Sequence, residues 1–592
     1  MSQPKIIVVG GGLAGLMAAI RVAESGVPVD LFSIVPVKRS HSVCAQGGIN
    51  AAKNQKGEGD SIAKHFDDTI FGGDFLANQT LVRRMCEAAP GIIDLLDRMG
   101  VMFNRTPEGL LDYRRFGGTL YHRTAFAGAT TGQQLLYALD EQVRRHESEG
   151  HVKKFEGWTF LSAVIDDRGV CRGICAMNLH SMEVQTFAAD AVIFCTGGIG
   201  AIFGRSTNSV VCTGSAQSAL FQQGVDYANG EFIQVHPTAI PGEDKLRLMS
   251  ESARGEGGRV WVPRAPGDKR PARSIPEAER FYFLEEWYPK YGNLVPRDIA
   301  TRAIHRIVYQ EKLGIDGQAA VYLDVTHIPV EILNHKLEGI LEIYEKFIGV
   351  DPRKEPMKVF PAMHYTMGGI WVNSEDQRTN IPGIYAAGEC EYQYHGANRL
   401  GANSLVSCIF GGGIAGPAAV KYAKNLASAA AASSVFDRER KRQEEMNQAL
   451  LSGDGDENPI AIWKELGEIM TEHVTVTRIN KNLEMAYGKI LALSERYKKI
   501  NLSDKTTWSN QTLNFARELG NMLILARVIT IGAFQRNESR GAHYKPEFPE
   551  RDDANFLKTT RAKWVNGDIQ LTYEAVDTSL IPPRARRYDA AK

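Results

Sequence analysis

Apolar positions near the start of the chain follow first a strand period and then a helix period. Ile6 to Val9 form a short β-branched run that is typical of a buried parallel strand. Leu13 to Glu24 carry apolar residues at helical spacing, and Gly26 follows where a helix would end. A second apolar run, Val27 to Phe32, predicts another strand. The pattern therefore predicts a strand–helix–strand unit at the beginning of the chain.

Three glycines, Gly10, Gly12 and Gly15, occupy the turn of this unit in the spacing G-x-G-x-x-G. The first glycines let backbone amides approach a pyrophosphate, and the helix N-terminus offers that anion a positive dipole end. The acid expected to bind ribose at the tip of the second strand is replaced by Ser33. The unit predicts a dinucleotide-binding domain whose pyrophosphate contacts are better defined than its adenosine contacts.

The remaining pattern predicts that this first domain is discontinuous. Residues 240–355 differ in character, with a Pro- and Arg-rich stretch and predicted helices at Asp298 to Gly314 and Val330 to Ile348. The apolar, glycine-rich style returns from about residue 356. We predict five segments: the nucleotide-binding domain over 1–240 and 356–425, an inserted domain over 241–355, a helical domain over 435–540, and a tail over 541–592.

The C-terminal third is predicted to be mainly helical. Apolar periodicity indicates four helices that would pack as a bundle against the rest: Phe436–Leu451, Pro459–His473, Asn480–Tyr497 and Thr507–Ile531. The tail beyond them is polar and contains prolines, with Arg584, Arg586 and Arg587 near its end. Such an arginine cluster is more often a solvated tail than a docking site, and we interpret it so.

Charge and cysteine content narrow the class of protein. Lys+Arg and Asp+Glu are equal at 69 each, which gives no support to nucleic-acid binding. The eight cysteines are scattered, so they are interpreted as reduced, mostly buried thiols rather than disulfides or metal ligands. The longest apolar stretches, Ile6–Ile20 and Ser404–Val420, are interrupted by glycines, and Pro417 breaks the second. We expect no membrane-spanning segment.

Four polar stretches beside glycine or proline are candidates for chemistry. They are Gln234 to Thr238 with His236, Ser250 to Gly258 with Glu251 and Arg254, Pro296 to Asp298 with Arg297, and the pair His364 to Gly369 and Gly396 to Leu405 with Arg399. Each also has a structural explanation: Asp298, for example, suits a helix N-cap, with Arg297 in a surface ion pair. If the stretches converge, their histidines, arginines and hydroxyl would suit a small dicarboxylate.

The order of these motifs resembles the flavoprotein subunit of succinate dehydrogenase/fumarate reductase over essentially the whole chain. The matching segments are VVGGGLAG, RSHSVCAQGG, HPT, SESARGEGG, PRD, HYTMGG, AAGE, HGANRLGANSL and ESRGAHYKPEFPE. These segments are most similar to those of bacterial enzymes that work with menaquinone and a haem-bearing membrane cytochrome b. The resemblance implies an α/β fold: a Rossmann-like FAD-binding domain interrupted by an α+β capping domain and followed by a C-terminal helical domain.

The resemblance implies that His41 carries FAD covalently as an 8α-histidyl group. It implies further FAD contacts at Gly10, Gly12, Leu13, Ala14, Gly15, Ser33, Ser40, Ser42, Gln46, Gly47, Gly48, Glu389, Ser404 and Leu405. Many members of the family have an aspartate that contacts flavin where this chain has Thr213-Gly214-Ser215. Whether Ser215 replaces that contact stays open.

The resemblance also implies substrate and catalytic roles. His236 and Ser250 would hold one substrate carboxylate, and His364 and Arg399 the other. The family often has threonine in place of Ser250, which preserves the hydroxyl. Arg297 would transfer the proton, served by a relay through Glu251 and Arg254, and no metal site is implied.

Partners and location also follow from the resemblance. The chain has no cysteine cluster, so iron–sulfur clusters and haem are expected only on partner subunits: an iron–sulfur subunit and a membrane cytochrome b anchor. The chain would lie peripherally on the cytoplasmic face of a bacterial membrane. Fumarate reduction as the physiological direction stays open, as do the quinone and the oligomeric state. A soluble L-aspartate oxidase is an alternative against which His41 argues, and a non-enzymatic flavin-binding protein is disfavoured by the polar site.

Overall fold

A five-stranded parallel sheet organises the fold of the computed structural model, which describes residues 4–242, 246–315, 319–426 and 433–588. The strand order is Ile384–Ala386, Ala191–Phe194, Ile6–Val9, Val29–Ser33 and Val152–Glu156. Ile6 pairs with Ala191 on one side and with Val29 on the other. The edge strand Ile384–Ala386 comes from beyond residues 241–355, so the sheet is interrupted in sequence, as the predicted fold class requires. The domain boundaries given above stay a prediction.

Two helices pack against each other beside this sheet. Leu13–Glu24 follows the first strand, and Asn403–Asn425 crosses it closely. A Cβ atom at Gly412 would lie 2.2 Å from the carbonyl oxygen of Ala14, so a side chain there would separate the helices. By length and composition Asn403–Asn425 could cross a membrane, but 61% of its apolar window is buried inside the protein. Its apolar character is therefore accounted for by this packing.

A six-stranded antiparallel sheet forms the second layer. Its order is Arg247–Leu248, Ile233–Ile240, Met357–Thr366, Val321–Asp324, Arg259–Pro263 and Arg280–Phe281. Several short helices accompany it: Ser252–Gly255, Phe283–Trp287, Arg297–His305, Val330–Lys336 and Glu338–Ile348. A core around Trp261 and Leu323 joins sheet and helices.

For two helices in residues 241–355 the predicted bounds were wrong, and one predicted N-cap residue was wrong. The helix expected to run from Asp298 to Gly314 begins at Arg297 and ends at His305, followed by a π-helical turn. The predicted helix Val330 to Ile348 is two helices, because Leu337 leaves helical geometry and buries its side chain in the core. The N-cap position belongs to Pro296 and not to Asp298.

The C-terminal part is helical, as predicted. Its helices are Ser433–Ser452, Pro459–His473, Asn480–Tyr497 and Gln511–Gln535. The side chains of Asn458 and Asn510 cap the second and the last of these helices. Further helices lie between the strands in the first half of the chain: Ile62–Gly72, Gln79–Arg98, Thr131–Ser148 and Ser215–Gln222. The long helix Gln511–Gln535 packs against Ser215–Gln222 and so brings the helical part onto the nucleotide-binding part.

Smaller sheets complete the architecture, and one of them includes two strands from the tail 541–592. Trp158–Ile165, Cys171–Asn178 and Val184–Ala188 form an antiparallel sheet, and Ile49–Asn50, Thr124–Ala125 and Tyr113–Arg114 form another. The tail contains a hairpin, Lys558–Val565 with Asp568–Ala575, which pairs with Tyr227–Ala228. The prediction that the arginine cluster near the end of the tail is solvated holds for Arg584 and Arg587 but was wrong for Arg586, whose side chain is 6% exposed because it pairs with a buried carboxylate.

The cysteines agree with their predicted state. Within the described residues all eight are free thiols, and six of them are buried. Burial raises the pKa of the Cys86 thiol to about 12, so it stays protonated at neutral pH. These thiols are packing residues of the core.

Candidate active site

A long cleft opens at the carboxyl ends of four strands of the parallel sheet, where ligands bind in open α/β folds. Its cavity volume is about 440 Å³. The lining includes most of the predicted cofactor and substrate residues: Gly10, Gly12, Leu13, Ala14, Ser33, Ser40, His41, Ser42, Gln46, Gly47, Gly48, Ser250, Glu251, Arg297, His364, Glu389, Arg399, Ser404 and Leu405. The structure therefore brings residues from seven of the nine motifs to one cleft.

Three predicted residues, Gly15, His236 and Arg254, are not part of the lining of the cleft. Gly15 is a packing position, since a Cβ atom there would lie 1.8 Å from the carbonyl oxygen of Gly10. His236 packs edge-on against His364, a lining residue, with ring centroids 5.0 Å apart. Arg254 is linked to the cleft through Glu251: Nη2 of Arg254 donates a hydrogen bond to Oε1 of Glu251 at 2.7 Å.

Two helices present their N-termini to the cleft, and neither is capped by the side chain of its own N-cap residue, although Ser42 Oγ accepts from the Leu13 amide at 3.3 Å. Gly12 stands at the N-cap of Leu13–Glu24, and Ala402, with φ at +62°, stands at the N-cap of Asn403–Asn425. Orphan backbone amides and the positive dipole end at such positions favour a bound anion. Gly10 adopts φ of +116°, which favours glycine, and a Cβ atom there would lie 2.1 Å from the carbonyl oxygen of Cys195. These features fit the pyrophosphate and the flavin ring of FAD.

His41 lies in the cleft on a short 3₁₀ turn, His41–Cys44. Its Nδ1 accepts a hydrogen bond from the backbone amide of Ser209 at 3.2 Å. The side-chain nitrogen of Asn208 lies 3.4 Å from His41 Nε2 and donates to the carbonyl oxygen of His364 at 2.7 Å. The imidazole is thus oriented from both edges, and it is linked to the segment that carries His364.

The end of the cleft beyond Ser33 contains residues that sequence analysis did not select. These are Glu518 and, from a strand next to the parallel sheet, Trp158 and Thr159; Ser215, whose role the sequence left open, also lines the cleft. Ser33 itself donates to the carbonyl oxygen of Val35 at 2.6 Å. Burial raises the pKa of Glu518 to about 7. No local motif marks Glu518, because it reaches the cleft from the helix Gln511–Gln535 of the helical part.

A buried cluster of opposite charges forms the other end of the cleft. Arg297 Nε and Nη2 both donate to Oε2 of Glu251, at 3.0 and 2.9 Å, and Arg254 donates to its Oε1. Arg297, Glu251 and Arg254 are 4%, 1% and 2% exposed. Burial alone would raise the pKa of Glu251, but the charges of Arg297 and Arg254 bring it below its ordinary value. Glu251 is therefore a charged carboxylate shared by two guanidinium groups.

Gln234 lies in the polar stretch Gln234 to Thr238 but was not predicted as a site residue. It binds Arg297 on the side of the guanidinium group that does not contact Glu251. Its Oε1 accepts from Arg297 Nη1 at 3.0 Å, and its Nε2 donates to the carbonyl oxygen of Arg399 at 2.7 Å. Gln234 is fully buried. One amide side chain therefore sets the spacing of the two cleft arginines, which the sequence separates by more than a hundred residues.

Arg399 and the histidines surround the space between these groups. Burial, and then the charge of Arg297, lower the pKa of Arg399 to about 9. The same two causes lower the pKa of His236 and of His364 well below the ordinary histidine value, so both rings are neutral at pH 7. His236 Nε2 is buried without a hydrogen-bond partner among the described residues, and so is Arg399 Nε. The cluster has donors to spare and a positive balance, which suits a dianion.

Comparisons with known proteins agree with this geometry. A family model described as FAD binding domain matches residues 5–405, and one described as fumarate reductase flavoprotein C-term matches residues 463–588. The succinate dehydrogenase flavoprotein subunit of Bacillus subtilis is 64% identical over 100% of both chains. The fumarate reductase flavoprotein subunit of Escherichia coli is 35% identical, with 99% of this chain and 96% of that chain covered.

Solved structures show the same likeness. A variant of Escherichia coli quinol fumarate reductase superposes with a TM-score of 0.91 at 33% identity, covering 100% of this chain and 99% of that chain. Fold and cleft together define an FAD-binding oxidoreductase flavoprotein. The chain belongs to the family of flavoprotein subunits of succinate dehydrogenase and fumarate reductase, whose reaction is the interconversion of succinate and fumarate.

Proposed function

We propose that this chain is the catalytic subunit of a membrane-bound succinate:quinone oxidoreductase and that His41 holds its FAD covalently as an 8α-histidyl group. One observation carries the proposal: the buried Arg297–Glu251–Arg254 cluster and Arg399 open on the same cleft as His41 and the two helix N-termini. When bound, FAD supplies the hydride chemistry, and the protein orients the substrate and balances its charge.

Four side chains would hold the substrate. His236 and Ser250 would bind one carboxylate, and His364 and Arg399 the other. Ser250 is 1% exposed, and its hydroxyl lies 2.9 Å from that of Ser252. Because the histidines are neutral, each can donate one N–H to a carboxylate oxygen, while Arg399 supplies a full positive charge.

Arg297 would move the proton. Oxidation of succinate removes a hydride equivalent and a proton from adjacent carbons, and the proton would go to a guanidine nitrogen of Arg297. Free arginine is a poor base because its pKa lies above about 12. Such a role needs a buried site, and the side chain of Arg297 is 4% exposed in a cleft shared with Arg399.

The relay outward would continue from Arg297 through Glu251 to Arg254. Each link is a hydrogen bond of 3.0 Å or less, and Arg254 Nη1 donates onward to the carbonyl oxygen of Asn293 at 2.8 Å. Glu251 can pass a proton between the two guanidinium groups because its two oxygens face different arginines. Reduction of fumarate would use the same groups in reverse.

Electrons would leave through an iron–sulfur subunit to a membrane cytochrome b anchor that carries haem, with this chain at the cytoplasmic face of the membrane. Support comes from the relatives: one matched structure is a quinol-fumarate reductase with menaquinol molecules. The name of the 64% identical relative favours succinate oxidation as the physiological direction. The fumarate reductase names of other relatives favour the reverse, which is the second candidate function.

Dye reduction by the purified, flavin-loaded chain tests this proposal. We expect turnover with succinate and none with L-aspartate, and we expect quinone reduction only when the iron–sulfur and anchor subunits are present. Oxidation of aspartate in place of succinate would support the oxidase alternative. Quinone reduction by the isolated chain at the rate of the complex would contradict the assignment of partners.

A further inference from the structure

The last described residues of the chain form a strap that reaches the active-site helix. We define this C-terminal strap as residues 581–588. Arg586 Nη1 donates to Oδ2 of Asp298 at 2.6 Å, and its Nη2 donates to Oδ1 at 3.0 Å. The two side chains are 6% and 1% exposed. This is a buried, bidentate arginine–carboxylate pair, the geometry in which such a pair is strongest and most directional.

Asp298 directly follows the proposed proton-transfer residue. Both lie in the first turn of the helix Arg297–His305, which has no side-chain cap. Burial would raise the pKa of Asp298, but the charge and hydrogen bonds of Arg586 hold it below its ordinary value. The other cation on Asp298 is Arg302, a longer contact at 3.3 Å from the same helix. Arg302 also donates through Nη1 to the carbonyl oxygen of Gly541 at 3.1 Å, whereas Arg586 ties the start of the helix to the C-terminal strap.

Other contacts of the strap reach elements of the nucleotide-binding part. Arg584 pairs with Asp67 at 2.6 Å on the helix Ile62–Gly72. The backbone of Ile581 exchanges two hydrogen bonds of 2.8 Å with the side chain of Gln79. Tyr588, which is 4% exposed, packs with ring centroids 5.5 Å from Phe71 on that same helix and 5.1 Å from Tyr291 near the active-site helix. The strap therefore bridges the helix Ile62–Gly72 and the active-site helix.

We propose that Arg586 is a positioning residue for Arg297: through Asp298 it fixes the first turn of the active-site helix relative to the FAD-binding side. The inference rests on the proposed function only in taking Arg297 as the group that acts on the substrate. Loss of Arg586 leaves a buried carboxylate with one weak partner, and the helix start shifts to find solvent or another cation. A misplacement of about 1 Å at a reacting group costs about 10²-fold in rate.

The test uses the flavin-loaded enzyme with three variants. Arg586→Gln removes the pair, Arg586→Lys keeps the charge without the fork, and Arg584→Gln is the matched control that removes an exposed ion pair from the same strap. We expect Arg586→Gln to lower kcat by about 10- to 100-fold, while a dicarboxylate still perturbs the flavin spectrum with nearly unchanged affinity. We expect Arg586→Lys to recover part of kcat and Arg584→Gln to match the wild type.

Hydrogen exchange over Arg297–His305 supplies a readout that does not depend on turnover. Faster exchange at these amides in Arg586→Gln, with unchanged exchange in Arg584→Gln, supports the proposal. Wild-type kcat or wild-type exchange in Arg586→Gln overturns it. If Arg586→Gln is not recovered folded, Arg586→Lys decides, and wild-type kcat in that variant overturns the proposal. Near-normal kcat in Arg297→Gln would instead contradict the proposed role of Arg297 in the reaction. The hydrogen-exchange measurement would then still show whether Arg586 fixes the start of the helix Arg297–His305.

Discussion

Arg297 and Glu251 form a buried, two-pronged contact in which Nε and Nη2 of the arginine both donate to Oε2 of the carboxylate, at 3.0 and 2.9 Å. Glu251 uses its other oxygen for Arg254. Both oxygens of the carboxylate therefore accept hydrogen bonds from arginines, and Nη1 of Arg297 donates to Gln234 instead. This arrangement holds the guanidinium group rigidly at the cleft, which both a proton-transfer role and a carboxylate-clamp role require.

Substitution of Arg297 separates these two roles. We expect Arg297→Gln to lower kcat in both directions by about 10²–10⁴-fold, the typical cost of losing a general acid or base. A dicarboxylate should still perturb the flavin spectrum, because His236, His364 and Arg399 remain. Arg399→Gln is the matched control, in which we expect binding to weaken together with rate. Near-normal kcat with a raised KM in Arg297→Gln would show that Arg297 is only a clamp.

A second prediction concerns His41. We expect wild-type protein to keep a fluorescent flavin band on a denaturing gel and His41→Ser to lose it, because the imidazole is the proposed attachment point. The exposed His180 offers a control, and His180→Ser should keep the band. The variant should still bind FAD through the glycine turn and the two helix N-termini. A fluorescent band of normal intensity in His41→Ser would refute the covalent link at this residue.

A third prediction concerns the glycine turn. A Cβ atom at Gly10 would lie 2.1 Å from the carbonyl oxygen of Cys195, and φ at this residue is +116°. We therefore expect Gly10→Ala to be recovered with little flavin and a markedly lower melting temperature. Gly91 is the control: it is exposed within the helix Gln79–Arg98, and a Cβ atom there meets nothing within 4 Å. Gly91→Ala should retain full flavin content, and normal flavin loading of Gly10→Ala would contradict the proposed geometry.

A fourth prediction concerns pH and stability. Burial, and then the charge of Arg123, lower the pKa of His65 to about 3. The unfolded chain takes up a proton below the ordinary histidine pKa of about 6.5, whereas the folded protein does not. His65 thus contributes stability above pH 6.5 that is lost as the pH falls from about 6.5 toward 3, by about 1.4 kcal/mol per pH unit.

Thermal melts at several pH values between 7.5 and 5.0 test this sign. We expect the wild-type melting temperature to fall as the pH decreases, and we expect a smaller fall in His65→Gln, which cannot take up the proton when it unfolds. Other buried histidines, including His236 and His395, contribute to both curves, so the difference between the two slopes isolates His65. Parallel slopes for the two proteins would contradict the prediction.

The amino-acid sequence by itself determined the local elements and the inventory of the site. The β-branched run Ile6 to Val9, the glycines after it and the apolar period from Leu13 are features of adjacent residues, so strand, turn and helix could be predicted without knowledge of the fold. The same holds for the C-terminal helices, whose periodicity is long and regular. The polar motifs were also visible because histidine, arginine and glutamate beside glycine are unusual in a core.

The tertiary structure alone decided which of these groups meet. Gln234 spaces Arg297 from Arg399, and Glu518 reaches the cleft from the helical part, because strand order and helix packing bring distant segments together. No local pattern shows that Arg586 is buried, since its partner Asp298 lies 288 residues away. A charged residue in a polar tail looks solvated until the fold supplies a buried counter-charge. Contacts between remote segments depend on the whole packed chain, and that is the information a linear pattern lacks.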